Sequence, residues 1–169
     1  LTKGMVRRAQ TISAKDAGYF LARLGIGSGD RILEAGLGSA GLSMHIARAL
    51  GGSGTHVTVE PRSEHAEVGL KNMARAQQSW LEFPSHHHIE GPIEDVIDEI
   101  KSHCTGFDGI ILDLPQHPTA IEAVAPLLAV GGRLACYCPV TSQVELAWEA
   151  AAGAGLEDEW AGGLMERQG

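Results

Sequence analysis

The feature that most constrains the fold of this chain is a glycine-rich turn between a short apolar run and a helical pattern. Residues 31–35, Arg-Ile-Leu-Glu-Ala, predict a buried strand, and Gly36, Gly38 and Gly41 follow it in a G-x-G-x-x-G spacing. Apolar residues then return at helical spacing from Ala40 onward. A strand, a glycine turn and a helix in this order place backbone N–H groups and a helix N-terminus beside a nucleotide-like ligand.

Glu34, at the end of the predicted strand, narrows the choice of ligand. A dinucleotide brings a pyrophosphate to this turn, and a carboxylate there would repel it. A ligand that carries an ammonium or a sulfonium would be attracted. We therefore interpret the turn as a site for a cationic nucleoside, with S-adenosylmethionine as the candidate. A nicotinamide-dependent oxidoreductase is an alternative that the glycine spacing permits and Glu34 disfavours.

Apolar runs alternate with helical patterns along the chain. This alternation predicts an α/β fold with a doubly wound, mostly parallel sheet and helices on both faces. The predicted strands are 31–35, 56–60, 86–90, 107–114 and 133–139, with a sixth beginning within 157–165. The first predicted helix begins at Ser13 and ends near Gly25–Gly29, and the second follows the glycine turn. The others occupy 63–76, 93–102, 119–128 (closed by Gly131 and Gly132) and 141–152.

The composition is that of one globular domain. A chain of 169 residues can bury a sizeable core, and no apolar run approaches the ~20 residues of a membrane helix. We divide it into a basic N-terminal segment, residues 1–12, and a catalytic domain, residues 13–169. No leader pattern is present, so a cytoplasmic protein without membrane contact is expected.

Charge and metal-ligand patterns limit the partners. The net charge of −8 disfavours a general nucleic-acid binder, yet residues 1–31 hold six Lys or Arg against two Asp, so a polyanion would meet this end. Residues 86–88 are consecutive histidines whose side chains alternate between strand faces, so no metal site is predicted. Cys136 and Cys138 are interpreted as small buried apolar residues.

Polar residues follow the predicted strands where a parallel sheet binds its ligand. Glu60, about 24 residues beyond Gly36, can accept hydrogen bonds from both ribose hydroxyls, and Pro61 follows it. The turn Gly91-Pro92-Ile93 follows the third strand, where backbone amides and an apolar side chain can hold an adenine. Pro92 has no N–H, so Ile93 is the better donor.

Asp113 stands near the end of the fourth strand, before a stiff Leu-Pro turn. A carboxylate that accepts a hydrogen bond from the exocyclic amino group of adenine would make N1 more nucleophilic. It would also stabilise the positive charge that develops on methylation at N1. Asp113 is therefore the candidate catalytic residue.

Several motifs together resemble a known family, the tRNA (adenine-N1)-methyltransferases that act on the T-loop. The motifs are Glu34-Ala35-Gly36-x-Gly38-Ser39, Glu60-x-Arg62, Leu112-Asp113-Leu114-Pro115, Tyr137-x-Pro139 with Gln143-Val144, and Arg8-Ala9-Gln10-Thr11-Ile12 with Lys15-Asp16-Ala17. The resemblance implies a class I methyltransferase fold, S-adenosylmethionine as the methyl donor, tRNA as the substrate and a homotetramer. The cofactor-binding residues that it implies are Gln10, Thr11, Glu34, Gly36, Gly38, Ser39, Ala40, Gly41, Glu60, Pro61, Gly91, Pro92, Ile93 and Asp113, with Gln10 and Thr11 closing over the donor.

The chain departs from the family mainly on the acceptor side. Ser13-Ala14 stand where Tyr-Pro is common, Gln116-His117-Pro118 where Glu-Pro-Trp is common, Ala40 where glycine is frequent and Pro92 where an acid is frequent. An aromatic wall for the target adenine is therefore missing from its expected place. The family's N-terminal β domain and its closing antiparallel hairpin are not expected within the chain. The alternatives are a methyltransferase acting on another acceptor, such as a corrin precursor, and a non-catalytic donor-binding subunit.

Overall fold

The computed structural model describes residues 12–162, which form a five-stranded parallel sheet in the order β3-β2-β1-β4-β5. The strands are β1 (Arg31–Ala35), β2 (Thr55–Glu60), β3 (Ser85–Glu90), β4 (Phe107–Leu112) and β5 (Leu128–Cys136). The helices are α1 (Ala14–Leu24), α2 (Gly41–Leu50), α3 (Ser63–Ser79), α4 (Ile97–His103), α5 (His117–Val124) and α6 (Thr141–Gly153). The prediction of an α/β fold with a parallel sheet is confirmed.

Helices cover both faces of the sheet. On one face, α1 and α2 pack on Ile32 and Ile111, and α3 packs on α2. On the other face, α4, α5 and α6 pack on a larger apolar cluster that includes Leu33 and Ile110. Alternate residues of β1 thus face opposite layers, as the pleat of a strand requires.

The ends of α1 follow the pattern that the sequence predicts. The Ser13 hydroxyl accepts a hydrogen bond from the backbone N–H of Asp16 at 3.2 Å, which caps the N-terminus. Gly25 ends the helix with a left-handed φ of 64°, a conformation that glycine adopts without steric cost.

Several predicted boundaries are wrong. The helix predicted over 93–102 is a 3₁₀ turn, Ile93–Asp95, followed by α4, and the strand predicted over 107–114 ends at Leu112. The helix predicted over 119–128 begins earlier, at His117, and α5 ends at Val124. Gly131 and Gly132 do not close it but lie within β5, where the register with β4 shifts between Phe107 and Gly109. The glycines permit this irregularity within a strand.

The predicted start of a sixth strand is also wrong over residues 157–162, which form no regular element; residues 163–165 lie outside the described residues. Side-chain contacts account for this path. The ring of Trp160 packs on Tyr19 with 5.1 Å between centroids, and the Arg23 guanidinium lies over Trp160 at 5.1 Å. Glu159 pairs with Arg133 of β5 at 3.2 Å. These contacts direct the segment onto α1 instead of into the sheet.

Within residues 12–162, no helix has the length and apolarity needed to span a membrane. The same residues contain no group of three metal-ligating side chains that could hold an ion. Cys136 and Cys138 pack against the larger apolar cluster as free thiols. Burial raises the pKa of the Cys136 thiol to about 12, with a further contribution from Cys138.

Candidate functional site

The carboxyl ends of the strands are joined by one more backbone hydrogen bond beyond each strand. Gly36 N–H donates to Val59 at 2.9 Å, and Gly91 N–H donates to Glu60 at 3.2 Å. On the other side, Asp113 N–H donates to Ala35 and Tyr137 N–H to Leu112, both at 2.9 Å. These bonds bring the loops that follow all five strands together at one edge of the sheet, where parallel sheets bind their ligands.

The glycine turn approaches Asp113 closely. Gly36 has φ 97°, and a Cβ built there would lie 2.2 Å from the Asp113 carbonyl oxygen. Only glycine satisfies both the backbone conformation and this contact. Gly38 has φ 50°, and a Cβ built there would meet no atom within 4 Å. The surface above Gly38 is therefore open to a ligand, which can approach the backbone directly.

Ala40 and Ser39 take structural roles in the turn. Ala40 is fully buried, has a left-handed φ of 62° and donates its N–H to Leu37 at 2.8 Å. Its side chain packs in the α2–α3 cluster. The Ser39 carbonyl accepts a hydrogen bond from Asn72 of α3 at 3.1 Å. Gly41 begins α2 and is buried. The turn is thus held from beneath, and Ala40 has neither a free N–H nor an exposed side chain for a ligand.

Glu34 does not present a free carboxylate to a ligand. Its residue exposure is 1%, and its two oxygens lie 2.9 Å from Ser43 Oγ and 2.9 Å from His56 Nε2. The partners come from α2 and β2, so Glu34 ties the turn, the helix and the neighbouring strand together. Direct attraction of a cation by Glu34, as we expected from the sequence, would require these bonds to open. Any effect on a ligand in the present arrangement is a field effect from beneath the site.

Glu60 is fully buried at the end of β2, and its carboxylate is bonded to the protein itself. Gly38 N–H donates to Oε2 at 3.0 Å, Arg62 N–H to Oε1 at 3.1 Å, and Arg62 Nε to Oε1 at 2.8 Å. Burial raises the pKa of this carboxyl, but the hydrogen bonds from Arg62 and Gly38 outweigh burial, and the net pKa lies below its usual value. Glu60 is therefore a carboxylate at neutral pH.

Asp113 directly follows β4 and has a partly buried carboxyl group at this edge of the sheet. Burial, together with the charges of Glu34 and Glu60 and against the opposing charge of Arg62, raises the pKa of its carboxyl to about 6. Carboxylates with such raised pKa values occur at functional sites more often than elsewhere. At neutral pH most of the population is ionised, so Asp113 can accept a hydrogen bond.

The turn after β3 and the residue after Glu60 occupy the predicted place. Gly91 has φ 147°, and Pro92 is exposed beside it. Ile93 is 2% exposed because its side chain packs in the larger apolar cluster, so only its backbone lies near the strand ends. Pro61 is exposed and follows Glu60 directly. Gln10 and Thr11 lie outside the described residues.

Tyr137 is the residue at this edge that the sequence analysis did not select as a site residue. Burial raises the pKa of its phenol, and the charges of Asp16 and Asp113 raise it further. Its backbone N–H donates to Leu112, the residue before Asp113, at 2.9 Å. The ring centroid lies 6.2 Å from that of Phe20 of α1. The signal was the position of Tyr137 after a strand, but the predicted strand 133–139 placed it inside the element.

The residues that replace the family's Glu-Pro-Trp line a pocket of about 210 Å³ beside the Asp113 loop. Gln143 and Leu146 of α6 complete its wall. The aromatic pair nearest this loop in the described contacts is Phe20 of α1 with Tyr137, which directly follows β5, at 6.2 Å between ring centroids. Gln116, the last residue of the loop after β4, and His117, the first residue of α5, stand at the positions after the Asp113 loop instead.

The residues present at this edge fit an adenosyl ligand. The turn leaves open space above Gly38, Glu60 is an ionised carboxylate bonded to that turn and to Arg62, and the Gly91 turn adjoins it. Such a ligand, S-adenosylmethionine, has no pyrophosphate, in agreement with a cluster of three carboxylates, Glu34, Glu60 and Asp113, around the site.

The fold and the site define a class I S-adenosylmethionine-dependent methyltransferase domain. An S-adenosylmethionine-dependent O-methyltransferase from Thermotoga maritima superposes with a TM-score of 0.76 at 27% identity, covering 86% of this chain and 52% of that chain. The tRNA (m1A58) methyltransferase TrmI from Aquifex aeolicus superposes with a TM-score of 0.72 at 20% identity, covering 89% and 56%. The second likeness concerns the fold alone.

The chain belongs to the family described as the GCD14 subunit of the tRNA methyltransferase complex, whose sequence model matches residues 1–159. The tRNA (adenine(57)-N(1)/adenine(58)-N(1))-methyltransferase TrmI of Methanocaldococcus jannaschii is 31% identical, over 99% of this chain and 66% of that protein. The tRNA (adenine(58)-N(1))-methyltransferase TrmI of Thermus thermophilus is 32% identical, over 83% and 52%. The resemblance seen in the sequence is confirmed, and the chain spans about half to two thirds of the length of these relatives.

Proposed function

We propose that this chain transfers a methyl group from S-adenosylmethionine to N1 of an adenine in the T-loop of tRNA. The observation that carries the proposal is Asp113: a half-buried carboxylate with a raised pKa, held beside the open glycine turn at the carboxyl edge of the sheet. The family match and the names of the relatives support tRNA as the acceptor. A corrin precursor is a less favoured acceptor, because the similarity to corrin-pathway proteins concerns the fold alone.

S-adenosylmethionine, when bound, supplies the electrophilic methyl group. Glu60 would hold the ribose hydroxyls, and the Gly91–Ile93 turn would contact the adenine of the donor. Gly38 would let the donor approach the backbone, and Gly36 would let the turn lie against Asp113. Asp113 would accept a hydrogen bond from the amino group of the target adenine, which favours the positive charge that appears on the base only as the methyl group is transferred.

Tyr137 and Phe20 would bound the space in which the target adenine lies, because the Tyr137 backbone is bonded to the residue before Asp113 and the two rings lie 6.2 Å apart. A flipped base can stack on aromatic side chains. In this proposal the aromatic wall that the family forms elsewhere comes from α1 and the end of β5. Gln10 and Thr11 would close over the donor, as the resemblance implies.

The test is transfer of labelled methyl groups from S-adenosylmethionine to unmodified tRNA, followed by nucleoside analysis. We expect N1-methyladenosine with the wild-type chain and none with Asp113→Ala. Transfer to a base other than adenine, or to another position on adenine, would contradict the acceptor proposed. Tight binding of S-adenosylhomocysteine without any transfer would favour a donor-binding subunit that needs a catalytic partner or a missing segment.

A homotetramer in the cytoplasm, with residues 1–12 as a basic segment and 13–169 as the catalytic domain, remains part of the proposal. The support for self-association is an exposed apolar surface on α6, where Leu146 is 53% exposed and Trp148 is 38% exposed. Sedimentation velocity would measure the assembly. A monomer at micromolar concentration would contradict it.

A further inference from the structure

We propose that Arg62 is a latch that closes the donor site by occupying the Glu60 carboxylate until the donor displaces it. The proposal rests on the proposed function, because it assumes that Glu60 holds the donor ribose. It adds a step to donor binding that the family match does not describe, and it depends on the contacts of Arg62 and Glu60.

The first observation is that Glu60 has no exposed surface although it is the acceptor proposed for the ribose. Four donor contacts from the protein reach its two oxygens: Gly38 N–H at 3.0 Å, Arg62 N–H at 3.1 Å, Arg62 Nε at 2.8 Å and Arg62 Nη2 at 3.5 Å. A carboxylate has about four lone-pair positions. The ribose hydroxyls therefore need a position that an Arg62 side-chain donor now fills.

The second observation is that the contacts of Arg62 differ in how easily they can open. The N–H groups of Gly38 and Arg62 belong to the backbone of the glycine turn and of the residue before α3, so they orient Glu60 in any state. The guanidinium stands on a flexible side chain that is 59% exposed, and it can move into solvent without any change in the fold. The side chain is therefore the movable part of this cluster.

The third observation is that the guanidinium lies beside the glycine turn. Arg62 Nη2 and the Gly38 N–H reach the same oxygen of Glu60, at 3.5 Å and 3.0 Å, and the charge of Arg62 opposes the raised pKa of the Asp113 carboxyl. A donor whose ribose is held by Glu60 would need a position on its oxygens that the Arg62 side chain now fills. Arg62 in its present position thus competes with the donor for hydrogen bonds to Glu60.

The consequence for binding is an apparent dissociation constant raised by the closed fraction of the protein. A site that is competent for only part of the time binds with the intrinsic constant divided by the open fraction. A partly exposed ion pair of this kind is modest in strength. Removal of the latch should therefore strengthen binding about three- to tenfold.

The experiment is calorimetric titration of S-adenosylhomocysteine into the full chain and three single variants. Arg62→Met, which keeps length without hydrogen-bond donors, should bind about three- to tenfold more tightly than wild type. Arg62→Lys, which keeps the charge without the planar fork, should fall between the two. Arg75→Met, an exposed arginine of α3 with the same change in net charge, should bind as wild type does. Equal or weaker binding by Arg62→Met overturns the latch.

A double variant separates the latch from a general opening of the site. In a Glu60→Gln background, Arg62→Met should give no gain in affinity, because the ion pair that it releases is already lost. If Arg62→Met raises the affinity equally with Glu60 and with Gln at position 60, Arg62 does not act by competing for Glu60, and the latch is overturned. If wild type binds S-adenosylhomocysteine and only the Arg62 results fail, the donor site stands without the latch. If neither wild type nor any variant binds it, the proposed function fails and the latch with it.

Discussion

The rate of methyl transfer should fall in mild acid, because Asp113 must be ionised to accept a hydrogen bond. Burial, with the neighbouring charges of Glu34 and Glu60, raises the pKa of this carboxyl to about 6 against the opposing charge of Arg62. The ionised fraction is then near one at about pH 7.5 and about one tenth at about pH 5. We expect kcat/KM to fall about tenfold over that interval. If this aspartate had an ordinary pKa, kcat/KM would fall by only about a tenth over the same interval.

The loss of activity in mild acid can be distinguished from unfolding, because protonation of Asp113 does not destabilise the folded state. A raised carboxyl pKa in the folded state means that the stability contributed by protonation of Asp113 is present below its unfolded pKa and is lost as pH rises through about 6. Acidification to about pH 5 therefore stabilises the fold through this group. The pKa of Glu60 is lowered, so the stability that its ionised form contributes is lost only when the pH falls below the usual glutamate pKa near 4.5. Circular dichroism at each pH is the control.

The assay is the initial rate of methyl transfer to tRNA at subsaturating tRNA, measured at half-unit pH intervals. Asp113→Asn should abolish most activity and leave a residual rate without the acid limb. A rate that stays flat to about pH 5 in wild type would refute the raised pKa. An acid limb that persists in Asp113→Asn would assign it to another group.

Three further substitutions test other parts of the site. Asp113→Ala should abolish transfer while S-adenosylhomocysteine affinity changes little; loss of binding would make Asp113 mainly a donor contact. Glu60→Ala should weaken S-adenosylhomocysteine binding by about 1–3 kcal/mol, the scale of charge-assisted hydrogen bonds, and an unchanged dissociation constant in calorimetry would place the ribose elsewhere. His56→Leu should lower the free energy of unfolding in urea by about 3 kcal/mol, because the buried Glu34 carboxylate loses a partner at 2.9 Å. A loss under about 1 kcal/mol would mean that Glu34 does not depend on His56.

The local order of strands and helices could be predicted from the sequence alone. Apolar runs and helical periods placed β1 at 31–35 as the structure has it, and Ser13 and Gly25 marked the ends of α1. The predicted element boundaries were wrong around residues 114 and 131–132. At 131–132 the reason is that a glycine pair inside an irregular strand and a glycine pair at the end of a helix have the same local pattern. The segment 157–162 has a strand-like pattern but follows contacts of Trp160 with α1.

The sequence by itself determined the carboxyl-edge site. A parallel sheet has one such edge, so Glu34 and Glu60 at strand ends and Gly91 and Asp113 just after strands had to lie there. The tertiary structure alone decided what each residue contacts. His56 is the partner of Glu34 because β2 lies beside β1 in a particular register, and Gly36 meets Asp113 because β4 lies on the other side. Side-chain partners across strands depend on sheet order and register, which local periodicity does not encode.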